Sequence, residues 1–437
     1  MFEQNKKVIL IALIFWFIIA GVYISHTGIG ERAHDMDGHV QYTQIIINEH
    51  RLPGPKEGLQ TYHLPLYYII NSLMAPKVLD SEKMALMWKG IYRNIGLDTH
   101  IRCVQAMSVL YGAIALVIIA WLLSKVTQNA KTILLVLLFI VSTPKFAFVF
   151  STYNNDSLAT VLSIAIIALS YRLYLNWSKH LAILLLIVAT AGVYTKYSVL
   201  FAIGAILAIC CKDLLKLCFP NKTQYKIIGI LLLSLILLFP WVKFHNYHYT
   251  GKYFPSNFEM DVEKGFNFNL LKTTLGIVLK IPKLQEYPPD YTHEWDEPWS
   301  HPYAHPSTKR YDYFPFVYIT SVIGEYVFNK PGINVIWLLL FIHFLLYPLS
   351  LMEVFRMPMA RLAGALVLLS HLIHNVFMYL SPITPAVLDY RYIAWSWAGW
   401  AILYASALAY NSKLSWVLNK MLIIGFCLHT YTLLTLG

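Results

Sequence analysis

The chain has 437 residues, of which 57% are hydrophobic and 13% charged, with a formal net charge of +11, whereas soluble domains carry about 25% charged residues. That composition excludes a water-soluble globular protein. The basic excess sorts with the loops between apolar runs, as the positive-inside rule requires, so it does not point to nucleic acid. Long clustered apolar runs also exclude a β-barrel, whose strands would alternate over about 10 residues.

The first apolar run starts at Val8 after Lys6 and Lys7, with no small-x-small cleavage pattern behind it. A retained first helix is expected rather than a signal peptide. Runs close to the roughly 20 residues of a bilayer span recur at 8–25, 102–124, 132–150, 157–175, 181–195, 197–211, 227–244, 332–351, 362–380, 391–409 and 421–437. With the N-terminus in the cytoplasm, Lys125, Lys131, Lys179, Lys212, Lys216, Lys222, Lys226, Arg356, Arg361, Lys413 and Lys420 fall inside. The long segments 26–100 and 245–331 then fall outside. Within them, Leu64 to Val78 and Phe266 to Ile281 are too short or too polar to span and suit interfacial helices.

The predicted fold class is an all-α polytopic membrane protein, a bundle of about eleven transmembrane helices with interfacial helices in two long external loops. It forms a single membrane-embedded domain over 1–437, placed in a bacterial inner membrane. The elaboration on one side and the lack of matched halves argue against an alternating-access transporter or flippase and for an external active surface. A non-catalytic assembly protein that binds glycan through its outer aromatic residues is the other alternative. The five cysteines form no spaced framework, so neither a disulfide nor a cysteine metal site is expected.

Candidate residues begin just after the first span, in Ala33-His34-Asp35-Met36-Asp37-Gly38-His39-Val40-Gln41-Tyr42. On a helix Asp35, His39 and Tyr42 share a face, and Asp37 points roughly 160° away from Asp35. A partly desolvated carboxylate there suits a general base toward a hydroxyl. A solvated polar loop is the plain alternative, and a metal site built from His34, Asp37 or His39 lacks a complete ligand set. In Gln60-Thr61-Tyr62-His63-Leu64-Pro65-Leu66-Tyr67-Tyr68, Pro65 starts a helix and leaves Tyr62 and His63 at its mouth, as interface anchors or ligands.

Ser151-Thr152-Tyr153-Asn154-Asn155-Asp156-Ser157 lies between the third and fourth spans, where Asp156 opens a helix and is either a capping acid or a functional group at the boundary. Lys196, between two short spans, is a lone cation on the side that disfavours it and calls for an anionic partner such as phosphate. The second outer segment carries His293, Glu294, Trp295, Asp296, Glu297 and Trp299, whose rings stack on sugars or anchor at the interface. Glu325 precedes a span, and Asp389-Tyr390-Arg391-Tyr392 opens the tenth.

Together these elements resemble the membrane-embedded GT-C glycosyltransferases, in particular bacterial relatives of protein mannosyltransferases and the aminoarabinose transferases of lipid A. The resemblance rests on Asp35 with His39, then Leu52-Pro53, Pro65-Leu66-Tyr67-Tyr68, Asn155-Asp156, Thr195-Lys196-Tyr197 and Arg391-Tyr392, in matching order and sidedness over most of the chain. It implies a polyprenyl-phosphate-linked sugar donor, a lipid, glycan or protein acceptor, an external active site and inversion at the anomeric carbon. In that reading Asp35 is the base and Arg391 and Lys196 face the donor phosphate with His39 and His63. Tyr62, Asn155, Asp156, Glu325, Trp295 and Trp299 bind substrate. No cofactor is required, with a divalent cation at the phosphate left open. Many relatives have adjacent Asp-Glu where this chain has Asp35-Met36-Asp37, so the choice between the two aspartates stays open.

The orientation is testable by thiol labelling. A cysteine introduced at Gly58 should react with an impermeant reagent before the inner membrane is opened; reaction only afterwards would reverse the topology.

Overall fold

A chain inside a bilayer can satisfy its backbone only as helix or as a closed barrel, and the regular elements of the described chain are all helices. The computed structural model describes residues 2–26, 36–54, 57, 60–61, 63–77, 98–211, 223–247, 317–318, 321–322, 330–352, 357–380, 390–409 and 413–434.

In chain order the helices are α1 (Phe2–His26), α2 (Met36–Glu49), α3 (Leu66–Met74), α4 (Asp98–Leu123), α5 (Ala130–Ser142), α6 (Pro144–Ser151) and α7 (Asp156–Leu175). They continue with α8 (Lys179–Val193), α9 (Val199–Cys211), α10 (Thr223–Trp241), α11 (Lys330–Leu351), α12 (Pro358–Leu380), α13 (Trp397–Ala409) and α14 (Lys413–Leu434). A π-helical turn, Val242–Tyr247, extends α10, and a 3-10 segment, Tyr390–Ser396, precedes α13.

Among the described residues six helices are long and apolar enough to cross a membrane, or seven if the bent pair α5 and α6 is one span. The protein is an integral, multi-pass membrane protein. Among the described residues, 179–193 and 199–210 are apolar helices below spanning length.

Two predicted spans are not continuous helices. The third, expected over 132–150, breaks after Ser142 and bends by 68°. Pro144 forces the break: Thr143, the residue before it, is extended at φ −61°, ψ 123°, because proline disfavours the α region for its predecessor. Proline is itself well placed as the first residue of α6. The tenth, expected from 391, begins as the 3-10 segment with a non-helical Ile393 at φ −122°, ψ 18°. Arg391 is therefore not at the N-terminus of an α-helix, and the dipole of α13 begins six residues later.

The chain divides into two compact units. The first comprises Met1–His26, Leu116–Phe148 and Val262–Gly437. Here α1 and α14 pack on α5, α13 packs on α5 and α12, and α11 packs on α14. Val8, Ala12, Trp16, Ile19 and Tyr23 form the buried stripe of α1, while Leu10, Ile11, Ile14, Phe17 and Ile18 are exposed. An apolar face of that size on a spanning helix is the face offered to lipid. Trp16 meets Phe146 edge-on at 5.1 Å, and Phe146 lies 5.0 Å from Trp397. Gly399 lets α13 approach α12, since a Cβ there would stand 2.8 Å from Val367 Cγ2 and 3.1 Å from the Ala363 carbonyl.

The second unit comprises Thr27–Ala115 and Val149–Asp261. Helix α8 packs against α7 and α10, α9 against α7, and α2 against α3.

A histidine pair lies deep in the first unit. His343 Nε2 and His429 Nε2 are 3.0 Å apart, His429 Nδ1 is 3.3 Å from Ser142 Oγ, and Ser142 donates to the Phe139 carbonyl. With the serine proton committed, His429 donates through Nδ1 and accepts from His343 at Nε2. Replacing His429 alone by Leu should strand the His343 donor and cost about 1–3 kcal/mol. Adding His343→Leu should recover part of that loss, and unfolding midpoints in detergent read both; losses that simply add would show that the pair is not coupled.

Candidate active site

The second unit gathers most of the motif residues around α2. Its first described turn carries Gly38, and a Cβ at that position would lie 2.5 Å from Gln60 Cγ. Glycine thus allows Gln60 to lie directly on α2. His39 and Tyr42, one helical turn apart, both turn to Tyr68 of α3. His39 Nδ1 is 2.7 Å from the Tyr68 hydroxyl, and the Tyr42 and Tyr68 rings stack at 3.8 Å and 8°. The expected shared face of His39 and Tyr42 is therefore present.

Pro65 precedes α3, as predicted, and His63 stands just before it with its ring stacked on His39 at 5.7 Å and 24°. Tyr42 donates weakly to the His63 carbonyl at 3.4 Å. The start of α3 is fixed in turn by Leu66 N–H donating to the Tyr194 carbonyl at 3.1 Å. That bond joins the Pro-Leu-Tyr-Tyr element to the Thr-Lys-Tyr turn.

Lys196 lies in that turn, between α8 and α9. Gly192 permits the tight connection, because a Cβ there would meet Val199 Cγ1 at 2.8 Å. The Lys196 ammonium donates to Asp156 Oδ1 at 2.6 Å, with both side chains buried. Lys196 is thus not the lone cation that the sequence implied; its anionic partner is Asp156, 40 residues earlier. Nor is Asp156 a capping acid. Asn154 Oδ1 accepts from Ser157 N–H at 3.0 Å and caps α7, while the Asp156 carboxylate accepts from the lysine. Asn155 is fully buried and makes no side-chain cap.

Residues that the sequence reading did not single out complete the arrangement. Tyr153, in the turn before α7, donates to Thr43 Oγ1 at 2.8 Å and lies 3.0 Å from His100 Nε2. Its ring stacks between His39, at 6.4 Å and 15°, and His100, at 5.7 Å and 24°. His63, His39, Tyr153 and His100 form a column of near-parallel rings. His100 opens an apolar span, and a histidine entering hydrocarbon is the signal that could have drawn attention to it. Burial pushes the phenols of Tyr42, Tyr67 and Tyr153 well above the usual tyrosine range, so they remain O–H donors.

Beyond α2 a charged strap closes the segment. Arg51 bonds Glu49 and both carboxylate oxygens of Glu57, and Gln41 donates to the Glu57 carbonyl. The guanidinium holds the Glu57 carboxyl below its ordinary range.

Arg391 belongs to the first unit. It is buried, with Nη2 3.4 Å from the Tyr392 hydroxyl and the guanidinium 5.3 Å from the centre of the Tyr392 ring. Asp35, Tyr62, Trp295, Trp299 and Glu325 lie outside the described residues, and of Asp37 only its backbone place in α2 is described. Among the described residues no group of three His, Cys, Asp or Glu side chains is arranged to hold a metal.

No family model matches the sequence. No curated protein matches it either. Its architecture, however, matches the apo crystal structure of an oligosaccharyltransferase from the archaeon Archaeoglobus fulgidus with a TM-score of 0.52 and 10% sequence identity, over 99% of this chain and 56% of that one. The chain thus shares the membrane-helix fold of that archaeal protein. Structures of the same archaeal protein tethered to an acceptor peptide with an NVT sequon, and bound to an inhibitory peptide and a dolichol-phosphate, give TM-scores of 0.48 at 10% identity. They are covered over 56% of their length by 99% and 98% of this chain, which thus spans little more than half of these proteins.

The ion pair of the second unit has a measurable signature. Breaking a buried pair strands a charge and costs about 3–5 kcal/mol. Lys196→Met and Asp156→Leu should each lower the unfolding midpoint in detergent. The double variant should be more stable than either, and a double variant as unstable as the sum of the singles would refute the pairing.

Proposed function

We propose that the protein is a glycosyltransferase that moves a sugar from a polyprenyl-phosphate donor to a hydroxyl of a lipid, glycan or protein acceptor at the external membrane face. The observation that carries this reading is convergence: on a fold shared with an oligosaccharyltransferase, residues distant in sequence build two buried polar pairs in one compact unit, His39 with Tyr68 and Asp156 with Lys196, whose elements are joined by the bond from Leu66 N–H to the Tyr194 carbonyl. A single membrane-embedded domain over 1–437 would serve it, with 26–100 and 245–331 as external loops.

Asp35, or Asp37 in its place, takes the proton of the acceptor hydroxyl. The acceptor oxygen then attacks the anomeric carbon from the face opposite the phosphate. The bond from that carbon to the phosphate oxygen breaks, its electron pair leaves with polyprenyl phosphate, and the configuration inverts. Negative charge grows on the leaving phosphate, where fixed cations stabilise the transition state more than the ground state. Arg391 offers a permanently charged planar fork suited to two phosphate oxygens. Lys196 is held by Asp156 and carries its charge at the start of α7, and His39 and His63 supply further phosphate contacts. Tyr62, Asn155, Asp156, Glu325, Trp295 and Trp299 bind the sugar and the acceptor. The reaction consumes no nucleotide at the external face, and a divalent cation assisting the phosphate is tested by adding chelator.

Purified protein incubated with labelled polyprenyl-phosphate sugars and a crude lipid or glycan extract should release polyprenyl phosphate together with sugar transfer. Release of neither product would refute the enzyme. Asp35→Asn should lower turnover by about two to four orders of magnitude. Normal activity in Asp35→Asn with a dead Asp37→Asn moves the base to Asp37, and two active variants remove catalysis from this loop. Arg391→Ala should lose most activity and Arg391→Lys part of it, whereas full activity of Arg391→Ala at limiting donor would exclude the phosphate role.

A further inference from the structure

His100 is fully buried at the first turn of α4, and its two ring nitrogens have different neighbours. Nδ1 is 2.8 Å from Gln44 Nε2 and 3.1 Å from the Pro76 carbonyl, while Nε2 is 3.0 Å from the Tyr153 hydroxyl. The proton positions follow from the chain's far end. Thr43 donates to the His39 carbonyl at 3.1 Å, and Tyr153 donates to Thr43. With its own proton committed, the Tyr153 oxygen accepts from His100 Nε2–H. His100 Nδ1 then carries a lone pair and accepts from the Gln44 amide, whose second proton reaches the Pro76 carbonyl at 3.2 Å. The neutral Nε2–H imidazole satisfies the bonds to Gln44 and Tyr153, and its Nδ1 and the Pro76 carbonyl, two acceptors 3.1 Å apart, share the two protons of the Gln44 amide. The opposite tautomer would set an N–H against the Gln44 amide and leave Tyr153 with two acceptors and one proton.

The result is a one-way chain of donors, Gln44 to His100 to Tyr153 to Thr43 to the His39 carbonyl. It begins and ends on α2, and it passes through the start of α4 and the turn that leads into Asp156. Two consecutive residues of α2 are therefore tied to the 151–155 turn, Thr43 directly by Tyr153 and Gln44 through the His100 imidazole. That turn is anchored separately, because Gln105 donates to the Ser151 carbonyl and Ser108 to the Thr152 carbonyl, both at 3.0 Å.

Resting on the glycosyltransferase reading, we propose that His100 is a positioning residue for the reaction: its neutral imidazole sets α2, which carries His39, in register with the turn that leads into Asp156 and hence Lys196. His100 touches none of the reacting groups; it acts through Gln44 and Tyr153. Such a role falls on turnover rather than on donor binding, because a misplacement of about 1 Å at reacting groups costs up to about a hundredfold in rate.

The test uses the full-length protein in detergent or nanodiscs. His100→Phe keeps the ring and its stacking but removes both nitrogens, and His100→Gln restores an N–H toward Tyr153. His100→Phe should lower kcat by at least about tenfold while KM for the donor changes by less than about threefold. His100→Gln should recover much of the loss. Tyr153→Phe should match His100→Phe, and the double variant should be no worse than the poorer single, since one chain is cut twice. Hydrogen exchange read by mass spectrometry should quicken over 36–49 in His100→Phe and stay unchanged over 413–434. Unchanged kcat, multiplying losses in the double variant, or exchange quickened equally in both segments would each overturn the proposal. If the unmodified protein transfers no sugar, the glycosyltransferase reading fails by itself; faster exchange confined to 36–49 would then still support the positioning of α2 by His100, and unchanged exchange would overturn it.

Discussion

The buried pair of Lys196 and Asp156 organises the second unit. An ammonium and a carboxylate removed from water need each other, and their desolvation is repaid only when the geometry is close; here it is 2.6 Å. To bring them together the chain must turn sharply between α8 and α9, cap α7 with Asn154 instead of Asp156, and hold the Thr-Lys-Tyr turn against the start of α3. Each of these features is local and polar, and each sits where an apolar helix starts or stops. The pair thus fixes the ends of four helices at once.

The same requirement recurs through the molecule. Polar groups inside hydrocarbon must find partners within the protein, so histidines and tyrosines are arranged in directed chains. In the second unit the chain ends on the carbonyl of His39; in the first, His343 donates to His429 and His429 to Ser142. Both chains consist of neutral donors used once each. Such networks specify a single arrangement of helices where apolar contacts alone would tolerate sliding.

An enzyme of the proposed kind benefits from this economy. The rings that stack from His63 to His100 provide a wall of neutral side chains within the second unit. The bend at Pro144 and the 3-10 entry to α13 serve the same end. Each replaces a continuous span with a break where polar backbone is tolerated only inside protein.

What the sequence determined was whatever depends on neighbours along the chain. Apolar runs, the lysines between them and prolines at helix starts marked the helices, and the stop at Ser142 was implicit in Pro144. The His39 and Tyr42 spacing correctly placed both on one face of α2, because helical periodicity is a local property. The tertiary structure alone decided partnership. Lys196 reads as a lone cation because nothing within several residues opposes it, and Asp156 reads as a cap because asparagine and aspartate both cap helices; only folding brings the two within 2.6 Å across 40 residues. His100 is marked along the chain only as a histidine entering an apolar run, and its partners are hidden for the same reason. A histidine at the mouth of a span acquires meaning from Gln44, 56 residues before it, and Tyr153, 53 after it, and no pattern along the chain encodes contacts of that range.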